Sequence, residues 1–432
     1  MRKIPYAILI AILAGSGAVT PACFAASSGT IYSVYNLPSA GGSVSSGNGI
    51  DNLGIVSGAS NQPGDQTMHA TAWLFGSRFD LGTLGGPNSG VQWPVKNNLG
   101  VISGIAETAE LNPLGEAWSC SAFFPGQATL HNCLGFVSAW GPMRALPTLG
   151  GYNGFATGTN DLGQTVGWAE NTVHDATCNP PQVLQFRAVI WGPEQGQIEE
   201  LPPLPGGDTV SAATAINDRG QVVGISGICS NAVGGYSAIH SVIWENGKPI
   251  DMGNIGGQAW NTAMAINQNG DVVGFANVQP GGALVAHAFF WSKSGGIHDL
   301  GTLPGDAQSQ ALGINDRDQV VGLSCTAGFA SCRAFLWQNG HMTDLNAQIA
   351  PGYNDNLFQA TDINDEGIIT GQAFDPVSGD GYAIVATPSN SQNSRTTSST
   401  TLRASDSAVQ SVPLPATLRA KLLQRMGLNV SR

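Results

Sequence analysis

The chain has 432 residues, a formal charge of −12, 11% charged residues and 58 glycines. Its 42% apolar content is ordinary for a globular chain. Scarce charge and abundant glycine favour many short strands joined by tight turns over helices, and the acidic balance argues against nucleic-acid binding.

Residues 1–25 read as a secretory signal peptide. Arg2 and Lys3 precede the apolar run "IPYAILIAILAGSGAV", and "PACFAASS" supplies small residues for cleavage after Ala22 or Ala25. The run is short for a retained anchor. Cys23 raises a lipoprotein reading, but Thr-Pro-Ala before it is a poor lipobox. Elsewhere no stretch is long and apolar enough to span a bilayer, so an exported protein is expected, extracellular, periplasmic or at the cell surface.

From Asp51 onward one phrase recurs. "AINDRGQVVG" (Ala215–Gly224) has relatives centred on Asp51, Asn97, Asn160, Asn267, Asn315 and Asn364. The period is roughly 50 residues, lengthened in the second and third copies. Each copy holds four short phrases rich in Val, Ile, Phe and Trp: "SAATAIN", "QVVGIS", "HSVIW" and "PIDMGNIGG" in the fourth. They read as four strands. Asn-Asp-x-Gly after the first and Asn-Gly after the third are hairpin chemistry, because Asn, Asp and Gly reach left-handed backbone conformations. Four antiparallel strands at this period describe a propeller blade.

The seventh copy stops after "YAIVA", its third strand. The missing fourth phrase stands at the start of the body, where "LPSAGG" within Tyr32–Gly42 matches "LPTLGG" at Leu146–Gly151. The predicted architecture is therefore all-β: a seven-bladed propeller over 30–388 whose N-terminal strand completes the last blade. An open solenoid would want caps at both ends instead.

The phrases "HAFFW" (His287–Trp291), "RAFLW", "HATAW" and "DLGTLGG" resemble those of the bacterial HAF-repeat family of extracellular proteins. The resemblance covers roughly residues 30 to 388. It implies export and a repeat-built body, and it brings no activity and no functional residues.

Polar residues that return in every blade are expected to serve the blade. His69, Arg187, His240, His287 and Arg333 open third strands, and Asp80, Glu200, Asp251, Asp299 and Asp344 lie in fourth strands. If Asn246-Gly247 sets the register, Asp251 faces Val242 and is the diagonal neighbour of His240. The histidine is then a structural partner of the acid. Trp73, Trp140, Trp191, Trp244, Trp291 and Trp337 are expected between blades, with sugar stacking as the rival role. "NQNGD" (Asn267–Asp271) and "DINDEG" (Asp362–Gly367) offer too few carboxylates for a calcium loop. No cofactor is expected, although one structural calcium on the acidic ring stays open. Nucleophile elbow, Walker loop and H-E-x-x-H motifs are missing.

Six cysteines follow the signal. Cys120 and Cys133 bracket one insertion, Cys325 and Cys332 a short loop, and Cys178 and Cys229 hold comparable places in successive repeats. Three disulfides are expected in an oxidising destination. The longest deviation from the repeat is Glu107–Asn132, and the next is Glu170–Gln185. Both fall between second and third strands, on one face of the ring, where loops on a rigid scaffold commonly bind. Glu107, Glu116, Trp118, His131, His174 and Asp175 are the candidate ligand-binding residues, with Glu116 and His131 able to do acid–base work.

Residues 389–412 are Ser/Thr-rich and read as a flexible linker. Residues 413–432 read as a short basic amphipathic helix, with Leu418, Leu422 and Met426 on one face. The signal carries +2 and the tail +5 of the formal −12, leaving −19 on the body. The basic tail can therefore meet a membrane surface or fold back on the acidic ring. A monomeric exported scaffold that recognises a glycan or protein is the expected function. Its rival is a propeller hydrolase or lyase acting on extracellular polysaccharide.

Overall fold

The computed structural model describes residues 30–425 apart from 117, 140, 233–238, 258–259, 279–284 and 390–410. The signal peptide, Trp140 and Met426 lie outside these. Seven four-stranded antiparallel sheets form the body. In chain order, blades 1 to 6 span 45–80, 85–145, 154–201, 210–251, 261–301 and 308–344. Blade 7 takes Asn356–Ile363, Ile369–Phe374 and Gly381–Pro388, and its fourth strand is Tyr32–Asn36. The closure register runs from Tyr32 opposite Pro388 to Asn36 opposite Ile384, so the N-terminal strand does finish the last blade. Tyr32, Val34 and Leu37 are buried there.

First strands are largely buried, in blade 2 only over its second half, and fourth strands are largely exposed, so the first strand of each blade lies inward and the fourth forms the rim. The repeated "VVG" glycine has a steric cause. A bulge in the first strand presses its carbonyl onto the second. A Cβ at Gly224 would lie 2.0 Å from the Ala212 oxygen, and at Gly322 1.9 Å from the Gln310 oxygen. No side chain fits either place.

The repeated Asn does more than turn the chain. The Asn217 side-chain oxygen accepts from the backbone N–H of Arg219 and Gln221, both at 3.1 Å. Its amide then donates to the Asn267 carbonyl of the next blade at 3.1 Å. Asn160, Asn267, Asn315 and Asn364 repeat this handover at 3.1, 3.1, 2.9 and 3.0 Å, the last reaching the Asp51 carbonyl. One residue on, Asp161 N–H donates to Asp218, Asp218 to Gln268, Gln268 to Asp316 and Asp316 to Asp365. The phrase thus closes each turn and ties it to its neighbour. Asp51 has no amide to donate, and Asn97 spends its amide on Val101 of its own turn.

Blade 2 departs from the pattern in the segment that holds Pro94. Its first strand ends at Gly90, and Val91–Lys96 leaves the sheet. Trp93 packs edge-on against Phe155 of blade 3 at 5.4 Å and meets the Trp260, Met264 and Phe275 cluster of blade 5. Lys96 donates to the Ile314 and Ile363 carbonyls of blades 6 and 7 and pairs with Asp362 at 3.0 Å. Contacts with blades on the far side of the ring mean that both side chains cross its axis. Asp362 is fully buried, and Ile50 and Ile363 N–H also bind it, which leaves its charge compensated.

The recurrent pairs are structural, as their recurrence suggests. Asp251 faces Val242, and His240 Nδ1 meets Asp251 at 3.1 Å. His69 with Asp80, His287 with Asp299, Arg187 with Glu200 and Arg333 with Asp344 follow suit. The Trp73, Trp191 and Trp244 indoles are buried and donate to the Pro38, Pro147 and Pro202 carbonyls just past the preceding rim strands. They are inter-blade anchors rather than sugar platforms.

Candidate binding face

The two ends of the ring differ. One end carries the short first turns, each close to a copy of the next. The other carries the loops between second and third strands, where the insertions, the disulfides and a helix gather. Cys120–Cys133, Cys178–Cys229 and Cys325–Cys332 are all bonded, and Cys178–Cys229 joins the loops of blades 3 and 4. These bridges fit an oxidising, exported compartment. Among the described residues no helix is long and apolar enough to cross a membrane.

The insertions are hairpin extensions more than loops. Second strands lengthen to Ile102–Leu111 in blade 2 and Thr165–His174 in blade 3. A short helix, Trp118–Ser121, leads into Phe123 and Phe124. Phe123 packs edge-on against Trp93 and Phe155 at 5.6 and 5.1 Å, and Phe124 is buried. These aromatics therefore plug the axis beneath the insertion.

Several candidate residues turn inward. Glu107 is buried and accepts from Asn88 at 2.9 Å and from Thr129. Its carboxylate and the Cys120 and Cys133 sulfurs lie within 4.8 Å of one another, but bridged sulfurs offer no thiolate ligand. Glu116 is fully buried. Its Oε1 accepts from the Val183 and Leu184 N–H at 2.8 and 2.6 Å and from Gln182 at 3.3 Å. The blade 2 insertion is thereby anchored on blade 3. Glu107 and Glu116 are thus corrected from loop-surface contacts to internal anchors, because the lengthened hairpins fold over them. Asp175 accepts from the backbone and hydroxyl of Thr177 at 2.8 and 2.6 Å, shaping its own loop. His131 is half-buried with Nδ1 enclosed, and His174 is exposed. Trp118 lies in the short helix, and its side chain is outside what the structure describes.

Glu116 meets Glu170, the carboxylate at the edge of the blade 3 insertion. Gln182 Nε2 bridges Glu116 Oε1 to Glu170 Oε1, the latter at 2.9 Å. Glu170 is pushed up to about 6, by burial first and by the Glu116 charge second, against hydrogen bonds from Gln182 and Asn153. Glu116 Oε2 is buried without a partner. The pair is sealed under the hairpins, so it holds them together and is not open to a substrate.

Beside the exposed His174 and Glu110, the face also exposes aliphatic side chains. Leu111 is 64% exposed and Leu130 46%, with Leu114 on the same blade 2 hairpin, and Val173 is 50% exposed on the blade 3 hairpin. Leu111 lies opposite His131, next to Leu130, at the tip of the blade 2 extension. Their signal was apolar side chains in a segment with no inward partner strand. On the opposite end Leu53, Leu99 and Leu162 are exposed at equivalent turn positions of blades 1 to 3.

The C-terminal helix, Ala416–Arg425, lies on the loop face. Leu414, Leu418 and Leu422 are buried against Val44 of blade 1, Phe329 of blade 6 and Phe358 and Phe374 of blade 7. Arg419 donates to the Gly328 carbonyl at 2.7 Å, Lys421 to Asn61 at 3.3 Å and Arg425 to Gln92 Oε1 at 2.7 Å. A cavity of about 40 Å³ remains beneath it, lined by Met68, Phe123, Gln359 and Gln372 among others. That is room for a few waters at most.

No family model matches the chain, and no curated protein matches it. Solved structures resemble it distantly. An acylaminoacyl peptidase from Pyrococcus horikoshii is 10% identical with a TM-score of 0.38, over 78% of this chain and 52% of that one. The extracellular domain of a B. thetaiotaomicron protein gives 11%, 0.40, 84% and 40%. Dipeptidyl peptidase 4 of Porphyromonas gingivalis gives 10%, 0.35, 76% and 51%. The chain spans about half the length of these proteins or less.

Proposed function

We propose that the protein is an exported, non-enzymatic scaffold that recognises a protein ligand through the loop face of its propeller, with an apolar contact centred on Leu111, Leu130 and Val173. The carrying observation is the exposed aliphatic tip built on disulfide-stapled, carboxylate-anchored hairpins. Exposing large aliphatic side chains on a rigid extension costs solvation and gains nothing for the ring itself. A glycan site would want several exposed aromatic platforms; Tyr152 is exposed at the entry to blade 3, but Phe123 and Phe124 face the axis. The polysaccharide hydrolase reading wants accessible carboxylates near an open channel. Here Trp93 and Lys96 fill the axis, and Glu116 and Glu170 are sealed. The HAF-like phrases fit an extracellular scaffold and add no chemistry.

The test is a screen of purified mature protein against extracellular proteins, glycans and peptidoglycan, with and without calcium. A ligand found there is titrated against Leu111→Ser/Leu130→Ser/Val173→Ser and against Leu162→Ser. The triple variant is expected to lose at least about tenfold in affinity, and Leu162→Ser to bind as the parent does. Unchanged binding by the triple variant, or loss on Leu162→Ser alone, overturns the assignment.

A further inference from the structure

We propose a second recognition site on this protein: the groove across blades 6, 7 and 1 is a receptor for a cationic amphipathic helix of a partner protein, and the chain's own C-terminal helix holds it in cis as a displaceable occupant.

The groove has the anatomy of helix-in-groove recognition. Its floor is apolar, made by Val44, Phe329, Phe358 and Phe374, and it takes Leu418 and Leu422, one helical turn apart, with Leu414 ahead of them. Its rim is polar and made largely of backbone carbonyls. Gly328 receives Arg419 near the helix start, while the Ser121 and Phe124 carbonyls receive Gln424 and Gln92 receives Arg425 at its end. Floor and rim together fix register and direction, so the groove selects leucines four residues apart with cations on the flanks. The body's negative charge favours such an occupant.

The resident helix fits imperfectly. Burial pushes Lys421 down to about 8, with Asp65 opposing and Arg425 adding to the shift. Burial pushes Arg425 down to about 10, and its hydrogen-bond partner is an amide and a carbonyl rather than a carboxylate. Both cations are half-buried, Lys421 with Asp65 nearby and Arg425 held by the neutral Gln92, which weakens docking relative to the apolar contact alone. A void also persists between helix and ring, where Gln92 Nε2 is buried without a partner. The helix is joined to the ring through 389–410, long enough to keep it near the groove whether seated or released. A partner whose cations reach solvent or a carboxylate would bind better per contact, and would have to beat a cis competitor present at roughly millimolar effective concentration.

The experiment uses the full chain and a fluorescein-labelled peptide of residues 411–428 as the probe. Anisotropy is titrated against the parent and against full-length Leu418→Asp/Leu422→Asp, whose own helix cannot seat. The peptide is expected to bind the variant in the micromolar range and the parent at least about 30-fold more weakly. A peptide with the same two substitutions should bind neither. Hydrogen exchange on the parent supplies the second reading. Amides of 416–425 should exchange far faster than those of Ile369–Phe374, because the helix opens without the ring. Equal peptide affinity for both chains, no binding to a variant whose ring melts as the parent does, or helix amides as protected as the blade strand would each overturn the proposal.

Discussion

Replacing Asn217 tests what the repeated phrase is for. Asn217→Ala removes three hydrogen bonds that close the first turn of blade 4 and one that reaches blade 5. At roughly 1 kcal/mol net for each bond the loss is about 4 kcal/mol. An unfolding entropy near 2.1 cal/mol/K per residue over roughly 360 residues is about 0.75 kcal/mol/K, so the melting temperature should fall by about 5 °C. Asn217→Asp separates turn from tie. It keeps the oxygen that accepts from Arg219 and Gln221, and it points a second oxygen at the Asn267 carbonyl. Burial raises the native carboxyl at the equivalent Asp51, ahead of the hydrogen bonds that lower it. The new carboxyl should likewise titrate above its unfolded value. Its neutral form donates to Asn267, so its stability is full below the unfolded value near 4 and is lost as pH rises through the raised folded one. Calorimetry at pH 4.5 and 7.5 therefore should show the Asp variant converging on the parent at the lower pH, with the Ala variant lagging at both. If both variants melt as the parent at pH 7.5, the inter-blade tie contributes nothing and the phrase is only a turn.

Other consequences are as direct. Glu116→Ala strands the Val183 and Leu184 N–H and should cost about 2–4 kcal/mol in chemical denaturation, whereas Glu116→Gln keeps Oε1, relieves the charge beside Glu170 and should cost less than about 1 kcal/mol. A result in which Gln is as damaging as Ala would remove the anchoring role. Chain-entropy scaling gives roughly 4 kcal/mol for the 51-residue Cys178–Cys229 separation and a little over 2 for the 7-residue Cys325–Cys332 one. Paired Cys→Ala variants should lose stability in that order, and the reverse order would count against it. Deleting 31–42 leaves a bare third strand in blade 7 and should replace one sharp melting transition by a broad one. A normal melt would refute closure. Burial pushes Asp80 and Asp299 up, yet hydrogen bonds from His69 and His287 and from Gly82 and Gly301 N–H outweigh it and hold both below the usual carboxylate range. Their contribution is present above the unfolded value near 4 and is lost as pH falls through the folded one. His69→Ala/His287→Ala should move the acid-unfolding midpoint to higher pH, and an unmoved midpoint would make the pairs incidental.

Much of this protein is written locally. Asn-Asp-x-Gly and Asn-Gly set hairpins, the spacing from His240 to Asp251 sets a cross-strand pair, and the "LPSAGG" phrase displaced to the chain's start announces closure. Each depends on neighbours within a few residues or on comparison of one repeat with another, which a sequence displays in full. Other features exist only once the ring is formed. The Asn217 amide finds its acceptor about 50 residues away because adjacent blades bring their turns side by side. Lys96 reaches Asp362 because Val91–Lys96 leaves the blade 2 sheet and crosses the axis, and nothing in either local sequence names the other. Glu107 and Glu116 have the residue types of a surface site, yet hairpins lengthened by insertion close over them and leave leucines outside. The helical face of Leu418 and Leu422 was legible, but its seat was not, since four segments from three blades and the blade 2 insertion build it together. Periodicity determined the blades and their number. Packing between distant blades decided which polar groups are buried, which apolar ones are left exposed, and therefore where this protein can be touched.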